Sequence, residues 1–299
     1  MKTSKQSPFG AVEARGWVPW GALAPILALF FIVLGLVSTG EVFLKPAGFL
    51  DAEDEPVGTM GLFAMLMISF GAVGILTTAW IKLVERRPLS SVGLTPGGLR
   101  PFFGGHLAGI GMVLATVVLI WLFGGYSAGA LVPAFASSAA IVNIALLLIG
   151  FALQSSVEEY VFRGWLLDVM ARKFNIWAAV IVSSALFCLL HVNPANPWYD
   201  NVNTFAFALF ACAWVLHTGN IWGAMGWHAG WNWFMGVGFD LPITGLDTGV
   251  AALVIELAPS GPHWLNGGNT GPEGSIFCTL VFIVGTIYWM RKPKAAVDN

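Results

Sequence analysis

Six residues able to move protons or hold charge lie in the second half of an otherwise apolar chain: Glu158, Glu159, Arg163, His191, His228 and Asn232. A charged group at membrane depth costs at least about 2.5 kcal/mol, so such groups usually face a protein interior, a cavity or a substrate path. In Val157-Glu158-Glu159-Tyr160-Val161-Phe162-Arg163, Glu159 and Arg163 are an i,i+4 pair about 40° apart on a helical wheel, while Glu158 points roughly 100° away from Glu159. Arg163 can neutralise Glu159. Glu158 then stands alone on its own face, where a carboxylate suits a base that takes a proton from water and later returns it to a leaving amine.

His191 ends Phe187-Cys188-Leu189-Leu190-His191 and precedes Val192-Asn193-Pro194, which predicts the last turn of a helix with Phe187 on the same face. At about 1.5 Å per residue, His191 stands about 22 Å along its helix from Ile176, and Glu158 about 21 Å from Arg172, so the two can meet at one depth. His228 and Asn232, at i,i+4 in WHAGWNW, project from one face with donors suited to a developing oxyanion. Taken singly, the Glu159–Arg163 pair is equally well read as an ion pair between helices, and each histidine as an interhelical hydrogen bond. Convergence of the set is what points to hydrolysis.

The elements that must position these residues are transmembrane helices. Hydrophobic residues make up 57% of the chain, charged residues 10%, and the mean hydropathy is +0.77, values of a polytopic membrane protein. The expected class is therefore all-α, a transmembrane helical bundle of about eight spans. A net charge of -2 without a dense run of Lys and Arg excludes nucleic acid as a partner. Cys188, Cys212 and Cys278 lie in apolar stretches without CxxC spacing and read as small hydrophobes.

Apolar segments fall near residues 18–38, 58–82, 104–124, 137–170, 176–191, 203–217, 220–238 and 275–290. The first is too long for a signal-peptide core and reads as a retained span. Lys2, Lys5, Arg15, Arg86, Arg87, Arg100, Arg172, Lys173, Arg291, Lys292 and Lys294 then fall on one side. Asp51, Glu53, Asp54, Glu55, Asp200, Asp240, Asp247 and Glu256 fall on the other. The positive-inside rule accordingly gives both termini to the cytoplasm, and the plasma membrane is the expected location. Residues 1–15 and 291–299 read as cytoplasmic tails and 16–290 as one membrane domain with its motifs in 150–240. The Gly-, Pro- and Asn-rich loop over residues 240–274 reads as an irregular cap on the outer face.

EEYVFRGWL, FCLLH and HAGWN resemble, in order and spacing, the EExxxR, FxxxH and HxxxN motifs of the CAAX-protease and bacteriocin-processing family (CPBP, or Abi). HTGNIW at 217–222 resembles the segment preceding the last motif, except that His217 stands where the family pattern would place an arginine. The resemblance implies an eight-helix intramembrane endopeptidase acting on a membrane-associated or lipidated protein or peptide. In it Glu158 activates water with His191, while His228 and Asn232 polarise the scissile carbonyl. It also implies zinc as an option, with Glu158, His191 and His228 as ligands, although HExxH is absent and the same residues can work without metal. No organic cofactor is expected. The rival reading is a non-catalytic immunity or scaffold protein, or a proton- or cation-linked carrier. A carrier would show symmetric halves, whereas the polar set is confined to the second.

Overall fold

In the computed structural model, residues 7–10 and 12–293 are described; Lys2, Lys5 and Lys294 of the charge pattern lie outside them. Eight helices coincide with the eight apolar segments: α1 (Leu23–Leu44), α2 (Gly58–Val84), α3 (Leu99–Leu122), α4 (Ser138–Lys173), α5 (Ile176–Leu190), α6 (Trp198–Thr218), α7 (Trp222–Phe239) and α8 (Ile276–Arg291). Among the described residues, α1 to α4 and α6 are long and apolar enough to cross a membrane, which makes this an integral membrane helical bundle. Helices α5 and α8 are shorter, at 15 and 16 residues. Helix α7 carries Gly, Trp, His and Asn in place of aliphatic residues and is buried along most of its 18 residues. It is the central helix, packed against α3 and α4, so it needs no lipid-facing side.

Close approach of α3 to α7 depends on glycine. Gly105 and Gly109 of α3 face Gly226 and Gly230 of α7, two small-xxx-small stripes that bring backbones into contact. A Cβ on Gly105 would fall about an ångström too close to the Gly223 carbonyl oxygen, and one on Gly230 equally close to that of His106. Helix α7 is thereby held at a fixed depth and rotation.

Boundaries moved where polar residues are buried. Helix α6 starts five residues earlier than its apolar run, directly behind Pro197, a residue well suited to the start of a helix. Its early polar residues have partners: Asp200 accepts from His263 and from Thr270 Oγ1 (2.5 Å), and Asn203 donates to the Glu273 carbonyl (2.8 Å). Arg87, counted above as a loop charge, is buried between Glu85 (2.5 Å) and Asp168. The Trp165 and Trp80 indoles also donate to Glu85, at 2.7 and 3.0 Å. This network ties the α2 end to α4.

A small antiparallel sheet, not expected from the sequence, pairs β1 (Tyr126–Leu131) with β2 (Ile255–Pro259), with Tyr126 opposite Pro259 and a bulge between Ala128 and Leu131. It fastens the 240–274 loop to the α3–α4 connection. Its strands are too short and too poor in β-branched residues for alternation to reveal them.

Candidate active site

The motif residues come from α4, α5 and α7, and each owes its position to a local device. Glu158 and Glu159 end the first α-helical stretch of α4, after which Tyr160–Leu166 winds as a π-helix before α-helix resumes at Leu167–Lys173. Such insertions recur at functional sites because they re-aim the side chains on either side. His191 caps α5, and its Nδ1 bonds the Phe187 carbonyl at 2.8 Å. Its ring also stacks on Phe187, with centroids 4.4 Å apart. Both contacts fix the ring and leave Nε2 as its free nitrogen. His228 and Asn232 lie one turn apart on α7, held in register by the glycine contact with α3.

Glu158, His191, His228 and Asn232 line one cavity of about 240 Å³. Glu159 and Arg163 lie behind its wall. Arg163 Nη1 stands 3.2 Å from Glu159 Oε1, and both side chains are fully buried. The guanidinium also sits 4.2 Å over the Phe187 ring, the ring that carries His191 on its stack. Glu159 Oε1 in turn accepts from His228 Nδ1 at 3.0 Å. His228 Nε2 is thereby turned towards Glu158 Oε2, 3.7 Å away. That separation is too long for a direct hydrogen bond. Among the described residues, Glu158 Oε2 has no hydrogen-bond partner.

The acids thus divide their surroundings. Each keeps one buried oxygen, Oε2, without a hydrogen-bond partner among the described residues, but Glu159 is enclosed by Arg163 and His228, while Glu158, with 13% of its side chain exposed, lines the cavity. An unpartnered acceptor beside an imidazole nitrogen is where a water molecule could be gripped and deprotonated. The Asn232 amide, expected to serve as an oxyanion donor, has partners within the protein. Its Nδ2 donates to Gln154 Oε1 at 3.2 Å and reaches Ser155 Oγ at 3.4 Å, binding α7 to α4.

Residues 139–234 match the family model described as type II CAAX prenyl endopeptidase Rce1-like. All six motif residues fall inside that Rce1-like segment. No curated protein and no solved structure matches the chain.

Several lining residues carried no motif signal. Gln154 precedes the glutamates by one turn and could have been suspected from a polar residue in an apolar run. Phe207 of α6 packs edge-on to His228 at 4.8 Å between centroids. Glu273, Thr244 and Thr270 reach the cavity from the 240–274 loop, which thus forms part of its wall. Glu273 accepts from the Trp231 indole at 2.9 Å and from the Thr244 amide and hydroxyl, both at 2.7 Å. His217, where an arginine was expected, lies against Trp289 with centroids 5.1 Å apart.

The zinc option requires Glu158, His191 and His228 to point at one ion. Among the described residues, no three His, Cys, Asp or Glu side chains are close enough together to hold a metal. The donor set does not fit an ion as arranged.

Proposed function

We propose that this protein is an intramembrane endopeptidase that hydrolyses a peptide bond of a membrane-associated protein or peptide with a glutamate-activated water. The reading rests chiefly on one observation: Glu158 holds an unpartnered oxygen 3.7 Å from His228 Nε2 in a shared cavity, within a segment that matches an endopeptidase family. Water held between Glu158 and an imidazole attacks the scissile carbonyl carbon as its proton passes to Glu158. The C–O bond forms and the carbonyl π electrons move to oxygen.

That oxyanion meets His228, which in its doubly protonated form donates Nδ1–H to Glu159 and Nε2–H to the cavity. Glu159 steadies this imidazolium and Arg163 balances Glu159, so charge developing in the transition state meets preformed dipoles. Asn232 contributes a donor when its amide exchanges Gln154 for substrate. The C–N bond then breaks, Glu158 returns its proton to the amine, and products are a carboxylic acid and an amine. Both termini cytoplasmic, an orientation supported by the loop-charge pattern, and residence in the plasma membrane belong to the same reading.

The test is site-specific cleavage of membrane-reporter peptides by protein in liposomes, with Glu158→Gln, His191→Ala and His228→Ala each run with and without chelator. Loss of cleavage in all three, in variants that unfold at the same temperature as the parent, supports the reading. Full activity in Glu158→Gln removes the proposed base, and chelator-sensitive activity would bring the metal back.

A further inference from the structure

The charge balance of the cavity bears on which substrate it takes. Glu158 and Glu273 both line it, and no Lys or Arg does among the described residues. Arg163, the nearest cation of the motif set, is fully buried behind the wall against Glu159. Five phenylalanines, Phe70, Phe151, Phe187, Phe207 and Phe282, contribute to the rest of the wall beside aliphatic and neutral polar side chains. Two carboxylates together with several phenyl rings in one cavity attract an organic cation, through Coulomb attraction and through the ring quadrupoles.

Glu273 is built to keep its charge in place. Three neutral donors, the Trp231 indole and the Thr244 amide and hydroxyl, hold its two oxygens. A carboxylate has about four acceptor positions, so one remains for a ligand. The donors come from α7 and from the loop, so Glu273 is fixed relative to His228 as well as to the loop. A free chain-terminal carboxylate on a substrate would face two like charges here and would compete with the developing oxyanion for the His228 imidazolium, which is unfavourable.

Resting on the endopeptidase reading, we infer that Glu273 is a specificity-determining residue that selects a substrate with a Lys or Arg side chain next to the scissile bond, and that the cavity disfavours a free C-terminal carboxylate there.

The experiment uses the full chain in liposomes and four membrane-anchored reporter peptides: three capped ones with lysine, norleucine or glutamate at one position flanking the scissile bond, and an uncapped one whose chain ends there in a free carboxylate. Cleavage is read as kcat/KM, and binding of the same peptides is read independently by their protection against thermal unfolding. The expected result is that lysine exceeds norleucine by about tenfold in kcat/KM, equivalent to one desolvated charge contact, with glutamate and the free carboxylate below norleucine. In Glu273→Gln the lysine-to-norleucine ratio falls to about one. Because that ratio is internal to each variant, loss of folded protein cancels.

Equal cleavage of lysine and norleucine peptides by the parent, or an unchanged ratio in Glu273→Gln, overturns the inference while leaving the endopeptidase reading intact. If no peptide is cleaved, that reading fails, and the binding series still decides the inference. Protection by lysine over norleucine that is lost in Glu273→Gln supports it, and equal protection overturns it.

Discussion

Placing one methyl group between α3 and α7 gives a sharp test of how the site is held. Gly105→Ala puts a carbon about an ångström too close to the Gly223 carbonyl, and Gly109→Ala does the same to the Trp227 carbonyl. The neighbour in each case is backbone, so no side chain can swing aside and the helices must separate. Overpacking of this kind costs about 1–3 kcal/mol. Helix α7 carries His228 and Asn232, so separation also shifts both relative to Glu158, and a misplacement of about 1 Å at a reacting centre can cost about a hundredfold in rate. Gly104→Ala is the control, because a Cβ there meets nothing within 4 Å. Thermal unfolding in detergent and cleavage in liposomes are measured together. Gly105→Ala and Gly109→Ala should lower both the unfolding temperature and kcat, while Gly104→Ala should leave both near the parent. Equal behaviour of Gly104→Ala and Gly105→Ala would refute the packing argument.

Arg163→Met should destabilise the protein by about 3–5 kcal/mol, because removing one partner of a buried pair leaves Glu159 uncompensated; chemical unfolding in mixed micelles measures it, and Arg163→Lys should recover part of the loss. Arg87→Met should destabilise in the same direction by less, since it removes the cation between the fully buried Glu85 and Asp168 but leaves Asp168 paired with Arg172 and Glu85 held by two indoles, and it should do so without changing the relative rates on different peptides. Asp240, at the end of α7, has its carboxyl pKa raised above the ordinary 3.8 by partial burial, then by Asp247 and Glu256. The folded state therefore holds this proton more tightly than the unfolded chain, so this contribution to stability falls as pH rises from about 4 through the raised value. Asp240→Asn should flatten that part of the stability–pH curve, as thermal unfolding across pH would show.

Much of the site was legible because membrane burial makes polar residues conspicuous. Glu158, Glu159, Arg163, His191, His228 and Asn232 stand out in apolar runs, and helix geometry alone paired Glu159 with Arg163, the 3.2 Å contact found. What the sequence concealed depends on contacts between distant segments. Nothing local says that Asn232 donates to Gln154, or that Glu273 folds back to Trp231 from 42 residues away. The glycine stripes were visible as GHLAG and GWHAG, but only the facing backbones give them a purpose. Arg87 was misread as a free loop charge because its partner Asp168 lies 81 residues on. The β1–β2 pair depends on two short segments meeting outside the helices, which periodicity does not report.

The central claim, that Glu158 delivers water to a peptide bond, is tested most directly by mass analysis of reporter cleavage in heavy-oxygen water, with Glu158→Gln run beside the parent. The account predicts one heavy oxygen in the newly formed carboxylate and a rate lower by about a hundredfold or more in Glu158→Gln. Undiminished cleavage by Glu158→Gln, or a product carboxylate without the heavy oxygen, would contradict it.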